Sequence, residues 1–221
     1  MKIKLSDHFT LRRLLRFTLP SMVMMIFTSI YSVVDGFFVS NFAGKTAFAA
    51  VNFIMPTLMM LGGVGFMFGT GGSALVAMRL GEKKQMEANQ IFSMLVYVST
   101  VCGLVLGILG IIFLPNIARA LGAEGEMLEQ CVLYGRIILL ANAAFFLQME
   151  FQSFFITAEK PHLGLTITVA AGVTNMVLDA VFVGVLRWGL VGAAAATALS
   201  QVVGGVFPLF YFGRKNSSLL R

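Results

Sequence analysis

Six long runs nearly free of charge organise the chain, at about 17–42, 47–78, 88–118, 135–158, 163–186 and 189–212. Each reaches or exceeds the roughly 20 apolar residues that a helix needs to cross hydrocarbon. Within the runs apolar residues occupy every side instead of alternating with polar ones, so the period of a barrel strand is missing and the helix is the backbone form that satisfies its own hydrogen bonds in lipid. The pattern predicts an all-α membrane protein of six spans, with Pro161 opening the fifth.

Composition agrees with the pattern. Hydrophobic residues make up 58% and charged residues 12% of 221, with a mean hydropathy of +0.88, far from the balance of a soluble domain. The net charge of +6 does not mark a nucleic-acid surface, because the basic residues sit in short clusters between apolar runs. With a cytoplasmic N-terminus, the inner segments hold Lys2, Lys4, Arg12, Arg13, Arg16, Arg79, Lys83, Lys84, Lys160, Arg214, Lys215 and Arg221. Only Lys45, Arg119 and Arg187 fall in outer loops, with Arg136 near an outer helix end. This bias predicts that both termini are cytoplasmic, in a multi-pass protein of the inner membrane. The basic N-terminal segment and the run after it lack a small-residue cleavage site, so that run is expected to stay attached as the first span. Cys102 and Cys131 are isolated, and His8 and His162 carry no metal spacing; none of the four suggests a metal or redox centre.

A few polar residues interrupt the spans. The first and fifth spans run in the same direction, and Asp35 and Asp179 each stand seven residues before the outer boundary, or about 10 Å below it. Thr197, eight residues into the returning sixth span, falls at a similar depth. Asn175 precedes Asp179 by one helical turn and projects from the same face. If the first, fifth and sixth spans are neighbours, two carboxylates, an amide and a hydroxyl converge on one layer. An ionised Asp in mid-bilayer is costly and usually faces a bundle interior or a water-filled path. A second at the same depth calls for a compensating proton or a hard cation such as Na⁺, which favours carboxylate, amide and hydroxyl oxygens. The alternative is purely structural, with Asp179 capping locally and Asn175 bonding between helices.

The combination of Pro20 and Asp35 in the first span, "NMVLDAVF" in the fifth and "GLVGAAAATALSQ" in the sixth resembles the N-terminal lobe of the multidrug and toxic compound extrusion (MATE) family. The resemblance covers essentially the whole chain. It implies a secondary antiporter that exports organic, mostly cationic compounds in exchange for H⁺ or Na⁺, with no other cofactor and no enzymatic activity. It also implies that Asp35, Asn175, Asp179 and Thr197 form the cation site and that the first helix bends at Pro20. Members of the family have twelve helices in two lobes related by a pseudo-twofold axis, so this chain corresponds to one lobe, and transport is expected to need a C-terminal lobe or a second half-chain. The expected partners are small organic cations and membrane lipids, not nucleic acid. Two other readings stay open: a lipid-linked oligosaccharide or polysaccharide flippase, which shares the overall fold but usually meets pyrophosphate with basic residues where this layer is acidic, and a half-protein that does not transport.

Other motifs are weaker. The glycine-rich stretch from Leu61 to Ala74 has no Lys-Ser/Thr to make a phosphate loop, and Gly65 with Gly69, like Gly103 with Gly107, fits close helix packing. Glu150, flanked by Gln148 and Gln152 in "LQMEFQSFF", either lines an inward-facing vestibule or makes a helix–helix hydrogen bond.

Overall fold

The structure is a computed structural model that describes residues 11–214 and Leu220, with the side chains of residues 12–14, 16 and 17 outside the description. His8, Lys2, Lys4, Lys215 and Arg221 lie outside the described residues. The described chain is helical throughout: α1 Leu11–Phe38, α2 Lys45–Gly81, α3 Gln85–Ala120, α4 Gly125–Leu140, α5 Asn142–Thr157, α6 Pro161–Asp179 and α7 Gly189–Gly213. A short π-helical segment extends α1 over Val39–Ala43, and another extends α6 over Ala180–Val185. Five stretches are each long and apolar enough to cross a membrane, and α4 with α5 makes a sixth if that pair, bent by 60°, is one span.

That pair departs from the sequence pattern. The expected span at 135–158 is two helices meeting at Ala141, and the first of them begins at Gly125. Glu126, Glu129 and Arg136 make 125–136 look like a loop in the sequence, yet they mark only one side of α4. Cys131, Tyr134 and Gly135 on the other side are buried. At the bend, the Asn142 amide donates to the Gly103 carbonyl of α3 at 2.9 Å, an interhelical bond of the kind apolar surroundings favour. Asn142→Ala is expected to lower stability by about 1 kcal/mol and to loosen the bend, as read by thermal unfolding in detergent.

Small residues decide how closely the helices approach. A Cβ on Gly65 would stand 2.8 Å from the Phe146 Cα, and one on Gly69 would stand 2.9 Å from the Glu150 Cα. On α3, Gly103 and Gly107 meet the Ala143 Cα at 2.8 Å and the Leu139 carbonyl oxygen at 2.9 Å. Both Gly-x-x-x-Gly motifs therefore grip the same bent α4–α5 segment from two sides, which is backbone-to-backbone packing that only a missing side chain permits.

Two apolar cores result. One gathers Val39, Ala47, Ile54, Leu114, Tyr134, Val183 and Ala194 toward the 39–47 and 183–190 turns. The other gathers Val76, Phe92, Phe151, Phe154, Phe155 and Phe212 toward the turn after α2. On that side, which we call the basic side, Arg79 and Lys84 each pair with Glu82 and Glu87. The Arg79 guanidinium, and then Lys84, hold the exposed Glu82 carboxyl below the usual carboxylate range. The polar residues of the spans lie between these cores. α1 packs on α6 and α6 on α7, while α4 touches α2, α3 and α7, so the first, fifth and sixth spans are contiguous, as the layer of polar residues requires.

Candidate functional site

α6 presents the site on one face. Gly172, Asn175 and Asp179 follow one another at helical spacing, and all three are buried. Gly172 brings α1 close: a Cβ there would run into Phe27 and stand 2.9 Å from the Tyr31 ring. One turn after Tyr31 on the same face of α1 comes Asp35. It faces Asp179 across the contact of α1 with α6. From α7, the buried run Ala193, Ala194 and Ala196 allows the close approach that places Thr197 against α6. The Asn175 amide donates to the Thr197 hydroxyl at 3.4 Å.

The structure thus brings Asp35, Asn175, Asp179 and Thr197 together, and it adds a fifth residue. Tyr134 of α4 is fully buried, with its phenol beside the Thr197 hydroxyl and near both carboxylates. The sequence pattern places it just outside the fourth span, in a loop. A phenol on the same side of α4 as the buried Cys131, three residues earlier, is the only signal that could have recruited it.

Acceptors outnumber donors here. Asp35 Oδ1, both Asp179 carboxylate oxygens, Asn175 Oδ1 and the Tyr134 hydroxyl are buried without a hydrogen-bond partner. None of the ion pairs found among the described residues reaches either Asp. Two carboxylates side by side are both acceptors, so they bond to each other only when a proton lies between them. The alternative is a cation drawn to the same oxygens. The side chains gathered here offer carboxylate, amide, hydroxyl and phenol oxygens, a donor set of hard oxygens.

Both carboxylates lie next to a π segment: Ala180 follows Asp179 directly, and Val39 comes four residues after Asp35. Around them the chain nearly repeats itself, as "VVDGFFV" at 33–39 and "VLDAVFV" at 177–183. Val39 and Val183, equivalent in this repeat, meet in the same core. Widened helical turns of this kind recur at functional sites because they re-aim side chains and free backbone groups.

The remaining candidates are placed differently. Pro20 is buried within an α1 that is helical on both sides of it. Gln148 and Gln152 border a partly enclosed space of about 10 Å³ between α5, α6 and α7, with Gly164, Thr168 and Gly204 opposite, room for about one water. Glu150 does not line it. Its side chain is fully buried and accepts a hydrogen bond from Ser99 of α3, so the vestibule role gives way to the helix–helix contact.

The described residues form a bundle of helices long and apolar enough to cross a membrane several times, with unpartnered carboxylate oxygens buried between them. The MatE family model matches residues 20–181, and the chain belongs to that family. It is 28% identical over 208 residues to the multidrug export protein MepA of Staphylococcus haemolyticus, covering 94% of this chain and 46% of that protein. Among solved structures it resembles the outward-facing conformation of a multidrug resistance MATE family transporter of the MOP superfamily, at a TM-score of 0.87 and 26% identity over 93% of this chain and 46% of that one. It also resembles a MATE in the bent conformation, at a TM-score of 0.86 and 26% identity. The chain spans about half the length of the curated relatives it matches.

Proposed function

We propose that the native protein is a cation-coupled antiporter that exports organic, mostly cationic compounds in exchange for H⁺ or Na⁺. The observation that carries this reading is the set of buried, unpartnered oxygens at Asp35, Asp179 and Asn175, joined by Thr197 and Tyr134. Such a layer holds one positive charge at a time, and its occupant is either the coupling ion or a charge supplied by the cargo. The multidrug export relatives support export of varied compounds. In this reading the basic side is cytoplasmic, following the distribution of Lys and Arg. Because the chain matches half of its relatives, a second six-helix lobe or a second half-chain completes the path between lobes.

Coupling follows from competition. The ion and the cationic cargo both stabilise the ionised carboxylates, so binding of one lowers affinity for the other by the same factor. The direct test is accumulation of a cationic dye inside inside-out vesicles, or its transport by proteoliposomes, containing the native protein, with a pH or Na⁺ gradient imposed in turn. Absence of gradient-dependent transport in both cases would refute the reading.

Thr197 tells the two ions apart. Its hydroxyl offers a neutral oxygen that Na⁺ needs to fill a coordination shell, whereas a proton needs only a carboxylate. Thr197→Ala is expected to weaken Na⁺-driven transport by about tenfold, equivalent to one lost charge-assisted contact, and to alter proton-driven transport only slightly. Equal rates under both gradients, with and without the substitution, would remove Thr197 from the site.

A further inference from the structure

Glu150 lies outside the layer just described and no step of the antiport reading uses it. It stands on α5 where that helix is pressed on α2 at Gly69 and on α3 at Ser99. Its side chain is wholly buried, as is that of Ser99. Among the described residues no ion pair or side-chain hydrogen bond joins Glu150 to an ionisable group of the elements around it: Lys45 and Arg79 on α2, Glu87, Tyr97, Cys102 and Arg119 on α3, Glu126, Glu129, Cys131, Tyr134 and Arg136 on α4, His162 and Asp179 on α6 and Tyr211 on α7. The polar partner of Glu150 among the described residues is Ser99.

Counting protons shows which form of the acid fits. The Ser99 hydroxyl lies 3.2 Å from the Val96 carbonyl oxygen and also contacts Glu150 Oε2. A serine has one hydroxyl proton and cannot donate to both acceptors. The Val96 carbonyl already accepts from the Thr100 hydroxyl at 2.7 Å, so the Ser99 proton goes to Glu150 Oε2, and among the described residues this is the one hydrogen bond the buried acid receives. The second oxygen, Glu150 Oε1, is buried without a partner. A neutral carboxyl group tolerates that far better than an ionised carboxylate does. A metal cation does not fit, because among the described residues Ser99 is the polar side chain bonded to the group and Na⁺ or Ca²⁺ needs a shell of oxygens.

We propose that Glu150 and Ser99 form a second proton-binding site of this protein, set between α2, α3 and α5, selective for H⁺ over metal cations and independent of the Asp35–Asp179 pair. The proton leaves when the contact of α5 with Gly69 and Ser99 loosens enough to admit water, and it returns when the contact closes.

The test is infrared difference spectroscopy of the purified native protein in lipid nanodiscs as pH is raised from about 5 to about 9, the range over which buried carboxyl groups titrate. The expected result is a carboxylic-acid carbonyl band that fades as pH rises, is lost in Glu150→Gln and persists in both Asp35→Asn and Asp179→Asn. Exchange of K⁺ for Na⁺ should leave it unchanged. Ser99→Ala, which removes the hydrogen-bond donor without touching the acid, should shift the band to higher frequency, and it serves as the reporter if Glu150→Gln fails to fold. A Glu150→Gln spectrum superimposable on wild type, or an unshifted band in Ser99→Ala, would overturn the assignment. A Glu150 band constant over the whole pH range would also overturn it, because the acid would then be a fixed hydrogen-bond partner of Ser99 and not an exchanging site.

Discussion

Asp179→Asn is expected to reduce ion-driven efflux to the passive background while leaving the protein folded and inserted. Asn occupies nearly the same volume, and its amide can donate to the Asp35 carboxylate, so the packing of α1 on α6 survives. What disappears is the second ionisable group. With one carboxylate left, the layer no longer needs a proton between two acceptors, and exchange of cargo for ion loses its driving competition. Asp35→Asn should have the same effect, since the two residues face each other across the α1–α6 contact. In wild type, affinity for a cationic dye should fall as pH falls, because the proton and the dye compete for the same oxygens, and this dependence should flatten in at least one variant. Transport by both variants at the wild-type rate, with an unchanged pH profile, would mean that the pair is structural.

The second large effect concerns packing. Gly205 of α7 rests on the backbone of α5: a Cβ there would collide with the Ala144 carbonyl oxygen, and it would stand 2.9 Å from the carbonyl carbon and 3.1 Å from the Cα. No side chain rotates away from such a contact, so α5 or α7 must shift as a whole. Gly205→Ala should cost about 1–3 kcal/mol, the usual range for overpacking, and part of that cost should appear at the site, because α7 also places Thr197 against Asn175. Gly63→Ala is the control. Nothing stands within 4 Å of a Cβ at Gly63, and Ala is the better helix former, so stability should be unchanged or slightly higher. Thermal unfolding of both variants in detergent measures the difference, and equal behaviour would show that the α5–α7 contact is looser than described.

The candidate site was legible in unequal parts. Asp35, Asn175, Asp179 and Thr197 stand out because polar residues in an apolar run are conspicuous, and because helical rise converts position into depth. Convergence of the four was conditional on helix neighbours, which no run length reveals. Tyr134 was missed for a definite reason. The acidic and basic residues of 125–136 occupy one side of α4, and hydropathy averaged along the chain cannot separate the sides of a helix. Glu150 was visible as a residue, but its surroundings were not. Whether a carboxyl opens to a vestibule or is sealed against Ser99 depends on a partner 51 positions away.

The sequence by itself determined a membrane-embedded helical protein, the places where the chain turns and the rare residues that carry charge into the bilayer. Those properties are local: an apolar run of sufficient length must be a helix in lipid, and an acid inside it must find compensation. Only the tertiary structure decided that α4 and α5 bend by 60° at Ala141, that the glycines of α2 and α3 grip that bend, that Tyr134 joins the carboxylates, and that Glu150 is closed off beside Ser99. Each of these depends on which helices touch and how nearly their backbones approach, and that is set by side chains distant in sequence acting together, not by any single run.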